Sequence, residues 1–263
     1  MVYNNVKYVF SISNITQKSY IFNRFFVFIY GDFFMRESKN TQRIKKLTAL
    51  AVFAALAYAL HFIHIPVMFL NLDFKDVVTA VAGMYFGPVS GLCLSVLVPL
   101  LEYPTSGTGE YGLIMNILSS ASFVVTASLV YRFKKTFFGA IMGLVSAVLA
   151  MVAVMMMANL FITPFYMGMP RSEIVAWIPK LFLPFNAVKG VLNASLVLCF
   201  YKPITQVLKR TGFGRAGSDE AADGAKKSII TKRTILVWII AGAIAIASFV
   251  IIFTILGGKL AFN

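Results

Sequence analysis

The stretch DVVTAVAGMYFGPVSGLCLSVLVPLL, Asp76 to Leu101, reads either as one long apolar helix or as two short ones. The dipeptide Gly87-Pro88 argues for a break, because proline lacks the N–H a continuing helix needs and clashes with the preceding turn. Charge decides the matter. Arg43, Lys45 and Lys46 precede the first clear apolar helix, and Arg132, Lys134 and Lys135 follow a later one. With a single span at 76–101 the two basic clusters would fall on opposite sides of a membrane. A break adds one crossing and puts both inside, as the positive-inside rule requires. The spacing therefore predicts helices at 76–86 and 88–101, about 16 and 21 Å long at about 1.5 Å per residue. Spans that short belong in a thin or protein-packed part of a bundle.

Composition agrees. Of 263 residues, 59% are hydrophobic and 13% charged, and the mean hydropathy is +0.81. That is a polytopic helical membrane protein, an all-α bundle in a lipid bilayer. The net charge of +14 would suggest nucleic acid in a soluble protein. Here the basic residues sit in short runs between apolar segments, and no nucleic-acid motif accompanies them. Cys93 and Cys199 lie within apolar segments and read as reduced core residues. No Gly-Lys-Ser/Thr phosphate loop is present, so the chain carries no P-loop for ATP.

Six core helices are expected: 47–65, 76–86, 88–101, 111–131, 137–165 and 178–203. They form a domain over residues 41–210. Before it lies an extension, 1–40, whose first 34 residues read as a dispensable leader. Asn23, Arg24 and Asp32 interrupt its apolar stretch too often for a span. After the domain, 211–233 is rich in Gly, Ala, Ser, Asp and Lys and reads as a flexible cytoplasmic linker. Residues 234–256 form an uninterrupted apolar span, an appended transmembrane anchor. This topology leaves the amino end inside the cell membrane and the carboxyl end outside.

Polar residues inside the apolar helices mark the functional region. In PFNAVKGVLN, Pro184 to Asn193, the residues Asn186, Lys189 and Asn193 share one helical face. A lysine at that depth costs roughly 2.5–3.5 kcal/mol on insertion scales, so it faces a cavity or a partner. Snorkelling is the alternative, but Lys189 lies about 15 Å from either helix end. Asn193, a turn deeper, suits an interhelical hydrogen bond. Asn159 and Thr163 stand one turn apart on the preceding helix. NLDFKD, Asn71 to Asp76, reads as a polar outer loop, and EYPTSGTGEYG, Glu102 to Gly112, as a second. The topology gathers Asp73, Asp76, Glu110, Asn159, Asn186 and Lys189 in the outer half. Phe74, Tyr103, Phe161, Tyr166 and Trp177 supply ring contacts. Carboxylates, amides and an amine among aromatic rings describe a pocket for a polar aromatic small molecule.

Five segments taken in order resemble one family: LDFKDV after the first helix, FGPVSG, the TGE loop, ANLFITPFY and PFNAVKG. Over about residues 43–210 the chain is similar to the substrate-binding (S) subunits of energy-coupling factor (ECF) transporters, most closely the riboflavin-specific ones. The resemblance implies a six-helix bundle that captures riboflavin or a related flavin from outside. It implies two ATPase subunits and a membrane coupling subunit on other chains, with ATP used there and no cofactor here. By the same resemblance, Leu72, Asp73 and Phe74 match a ligand-contacting first loop, and Asn159, Asn186 and Lys189 match polar ligand contacts. With Tyr103, Glu110 and Tyr166 they make the expected substrate site. Ala51 and Ala55 match the small-residue face that docks on the coupling subunit. The last helix and the amino extension lie outside the family pattern.

Two other classes compete: an intramembrane enzyme and a stand-alone secondary transporter. His61 and His64 hint at a metal, but no HExxH or paired-Asp motif joins them, and interfacial histidines explain them better. No inverted repeat supports the secondary transporter. An S subunit for another vitamin is the near alternative.

Overall fold

Gly87 adopts φ +103°, in the left-handed region that favours glycine, and Pro88 occupies the first turn of the next helix. The break that the sequence predicts is therefore present, and the rest of the bundle is arranged around it. The computed structural model describes residues 40–67, 70–107, 109–210, 232–254 and 261–262. The expected amino-terminal leader and almost all of the expected linker lie outside these residues.

Helix α1 (Asn40–His61) leads into a hairpin of β1 (Ile63–Val67) and β2 (Leu70–Asp73). Then come α2 (Lys75–Phe86), α3 (Pro88–Ser106), α4 (Gly109–Phe133) and α5 (Phe137–Met167). A short α6 (Arg171–Trp177) runs through a π-helical turn (Ile178–Phe182) into α7 (Leu183–Arg210). The last elements are α8 (Lys232–Thr254) and β3 (Ala261–Phe262). Six helical runs among the described residues are long and apolar enough to cross a membrane: those of α1, α3, α4, α5, α6–α7 and α8. The protein is an all-α membrane bundle with one small sheet and an appended carboxyl-terminal helix.

Helix α2 has only 12 residues, and every residue from Lys75 to Met84 is buried. At about 18 Å it is too short to cross a bilayer while facing lipid. It can be short because α1, α3, α4 and α7 pack round it. The glycines allow this closeness. A Cβ on Gly83 would lie 3.0 Å from Val124 of α4 and 3.1 Å from the Gly91 Cα of α3. Thr136 caps α5, its hydroxyl accepting from the Gly139 N–H at 3.1 Å. The main apolar core lies between α1–α5 and α7. A second cluster lies under the hairpin and combines Ile65, Val67 and Leu72 with Phe185, Leu192, Ala245 and Ile252.

Several expectations need correction. The first helix stops at His61, not Ile65, because Ile63, Ile65 and Val67 alternate as a strand and Pro66 cannot extend a helix. NLDFKD is not a polar outer loop: Leu72, Asp73, Lys75 and Asp76 are all buried. The predicted loop 102–112 shrinks to the few residues between Ser106 and Gly109. Helix α3 continues to Ser106 with Glu102 buried, and Gly107, at φ +63°, ends it. So α3 has 19 residues, and only α2 is short. The predicted loop 165–177 likewise shrinks to 168–170, between the ends of α5 and α6.

Candidate functional site

The buried charges come from four elements. Lys189 of α7 donates through Nζ to Asp73 Oδ2 of the hairpin at 3.2 Å. Lys75, at the start of α2, stands 3.9 Å from the same oxygen and donates to Glu102 Oε2 of α3. That Glu102 oxygen also accepts from Asn116 Nδ2 of α4 at 3.0 Å, and His61 Nδ1 lies 3.6 Å away. Asp76 accepts from the Ser120 hydroxyl. Two ammonium groups thus pair with the Asp73 and Glu102 carboxylates, while Asp76 is held by a hydroxyl. Burial alone would push the Asp73 carboxyl up. Lys189, then Lys75, outweigh that and hold it below the ordinary carboxylate value.

Above this network is a cavity of about 150 Å3, counted over positions a water centre can occupy. Asp73, Lys75 and Lys189 form its charged end. Asn159 and Asn186 face it from α5 and α7. Each amide is held by its own helix: Asn159 Nδ2 donates to the Met155 carbonyl at 2.7 Å, and Asn186 Nδ2 to the Phe182 carbonyl at 2.8 Å. Thr163 donates to Asn159 Oδ1 at 3.0 Å, fixing the amide orientation. The Asn186 side chain lines the cavity, and its oxygen is an acceptor type that a ligand's donor suits. The π-helical turn ends at Phe182, and Phe185, in the first turn of α7 that follows, lines the wall. Met115, Met155, Ile162 and Phe185 form apolar sides. Apolar walls with a few fixed donors and acceptors are the pattern of a small-molecule site.

Residues 45–201 match the family model of the substrate-specific component of ECF transporters. The chain belongs to this family. Such a component serves transport and is not an enzyme. Among its relatives is the riboflavin transporter RibU of Staphylococcus aureus (strain TCH60), 32% identical over 186 residues. That alignment covers 66% of this chain and 98% of the relative. The riboflavin transporter FmnP of Bacillus subtilis (strain 168) is 23% identical over 178 residues, 61% of this chain and 94% of the relative. A solved structure described as "Structure and mechanism of the S component of a bacterial ECF transporter" superposes with a TM-score of 0.56 at 33% identity. It covers 64% of this chain and 99% of its own.

Of the residues expected in the S component's site, Asp73, Asn159, Asn186 and Lys189 line the cavity. Leu72 is fully buried in the cluster beneath the hairpin. Phe74 turns towards α8, its ring 6.0 Å from that of Phe249. Tyr103 and Glu110 are exposed and outside the lining. Tyr166 belongs to α5, and its side chain lies outside the described residues. Phe161 is exposed, with the Arg171 guanidinium 5.7 Å from its ring centre. Ala51 and Ala55 are exposed on α1. Asn193 does not make the expected interhelical hydrogen bond. It is fully buried, and both side-chain polar atoms lack a protein partner among the described residues.

Sequence reasoning missed Lys75, Asn116, Ser119 and Phe185 in the lining, and it assigned His61 and His64 to the interface. The two imidazoles border the cavity, ring centres 6.2 Å apart. Asn116, Ser119 and Ser120 sit at i, i+3 and i+4 in an apolar helix. That spacing was the available signal for an inward polar face.

Proposed function

We propose that this S component binds riboflavin and delivers it to an ATP-driven importer. One observation carries the reading. The cavity joins apolar walls to fixed amides and a polar end of paired charges, in a chain whose relatives are named riboflavin transporters. The isoalloxazine ring of riboflavin is planar and largely apolar, with an imide edge that both donates and accepts. Its ribityl chain carries hydroxyls. Met115, Met155, Ile162 and Phe185 suit the ring, and Asn159, Asn186 and Lys189 suit donors and acceptors on its edge. Asp73 and Lys75, already paired, suit hydroxyls better than a formal charge. Leu72 and Phe74 back the hairpin, whereas Tyr103 and Glu110 belong to the rim in this reading.

The chain has no P-loop, so ATP hydrolysis belongs to two partner ATPases reached through a membrane coupling subunit. Ala51 and Ala55, exposed on α1, offer the small-residue face for that subunit. The basic clusters at the start of α1, between α4 and α5, and at the end of α7 support an inside location for those ends. The cavity then opens outwards, with the amino end inside, the carboxyl end outside and the bundle in the bacterial cell membrane. Residues 41–210 form the binding domain, 1–40 an extension, 211–233 a cytoplasmic linker and 234–256 the added span.

The test is direct. Purified full-length protein should saturably quench riboflavin fluorescence. Failure to bind riboflavin, with tight binding of another vitamin, would reassign the substrate within the family.

A further inference from the structure

The sequence reading makes α8 a plain anchor, and the family match ends at residue 201, well before it. One face of α8 is nonetheless buried. Ala241, Ala245, Ser248 and Ile252 fall at i, i+4, i+7 and i+11, a single stripe laid against α7. Ala245 and Ile252 share a cluster with Ile65, Val67 and Leu72 of the hairpin, and Phe249 reaches Phe74 at its end. Beyond α8 the chain returns as β3, which pairs with the free edge of β1. Ile63 lies opposite Phe262, and His64 opposite Ala261. The hairpin is thus backed by α8 and edged by β3.

That hairpin is one wall of the cavity. It contributes His64, Leu70, Asn71 and Asp73 to the lining, and Asp73 accepts from Lys189 on the opposite wall. An isolated two-stranded hairpin is marginally stable; a third strand and an apolar backing are what hold one in place. Here the third strand and part of the apolar backing come from the chain beyond residue 231, beside Phe185 and Leu192 of α7.

We propose that α8 and β3 clamp the hairpin and thereby set how long a ligand stays in the cavity without touching it. Phe249 is the positioning residue, acting through Phe74 to Asp73. The ligand part of the proposal rests on the riboflavin reading. The clamp itself does not, because it concerns the empty protein. Loss of the clamp leaves the route into the cavity unchanged and makes the wall easier to open, so its effect falls on dissociation rather than association.

The experiment uses the full chain with Phe249→Ala, the conservative Phe249→Leu, and Ile246→Ala on the exposed face of α8. Backbone hydrogen exchange over residues 63–74 is measured without ligand, and riboflavin dissociation by the return of fluorescence. Phe249→Ala should speed exchange in the hairpin and raise the dissociation rate on the order of tenfold, with the association rate unchanged. Phe249→Leu should recover most of both effects, and Ile246→Ala should match wild type. Unchanged hairpin exchange in Phe249→Ala would overturn the clamp, whatever the flavin does. If the wild-type protein binds no riboflavin, the ligand reading falls and the exchange comparison alone decides the clamp.

Discussion

Asp73 stands between two ammonium groups, 3.2 Å from Lys189 and 3.9 Å from Lys75. Removing one partner of a buried pair leaves a charge that neither water nor protein compensates. Lys189→Met should therefore lower the melting temperature in detergent, with a loss of about 3 kcal/mol. Asp73→Asn combined with Lys189→Met should recover much of that loss, since neither member of the pair is left charged without the other. A double variant no more stable than Lys189→Met would show that the pair is not the source of the effect. Lys189 was legible in the sequence because a lysine inside an apolar helix has few explanations. Its partner was not, since 116 residues separate the two. Lys75 and Glu102 were hidden for the same reason, 27 residues apart and each in a stretch rich in loop-forming residues. Local pattern reveals that a charge is buried, but not what neutralises it.

Among the elements, the break at Gly87-Pro88 was legible because proline chemistry acts locally, whatever surrounds it. The hairpin was not. Ile63 to Val67 continues the apolar run of α1 without a gap, and its conformation is decided by Phe185, Leu192 and α8 lying beneath it. The Gly-rich run after Glu102 suggested too long a loop, because Pro104 is tolerated in the last turn of α3. The close approach of α2 to α3 and α4 gives a sharp test. Gly83→Ala would put a methyl group against the Gly91 backbone and Val124, with no low-energy relief. It should destabilise the protein by about 1–3 kcal/mol in thermal melts. Gly242→Ala meets nothing within 4 Å and should be neutral or slightly stabilising. Equal effects at the two positions would rule out crowding as the cause.

For the molecule as a whole, the cavity and the proposed docking face are separate. The cavity is lined mainly from α4, α5, α7 and the hairpin and reaches α1 only at its last residue, His61, whereas Ala51 and Ala55 are exposed earlier on α1. Trp at both alanines should leave riboflavin affinity unchanged in the purified protein. It should abolish uptake in cells that supply the coupling and ATPase subunits. Uptake at the wild-type rate would remove this face from the assembly. The buried α2 has a different consequence, for biogenesis. It is 12 residues long, begins with Lys75 and Asp76, and has all ten residues from Lys75 to Met84 enclosed by protein. Such a segment has neither the length nor the apolar surface to leave the translocon by itself. Its entry into the bilayer is a step of tertiary assembly, and it waits on the neighbours that will wall it in.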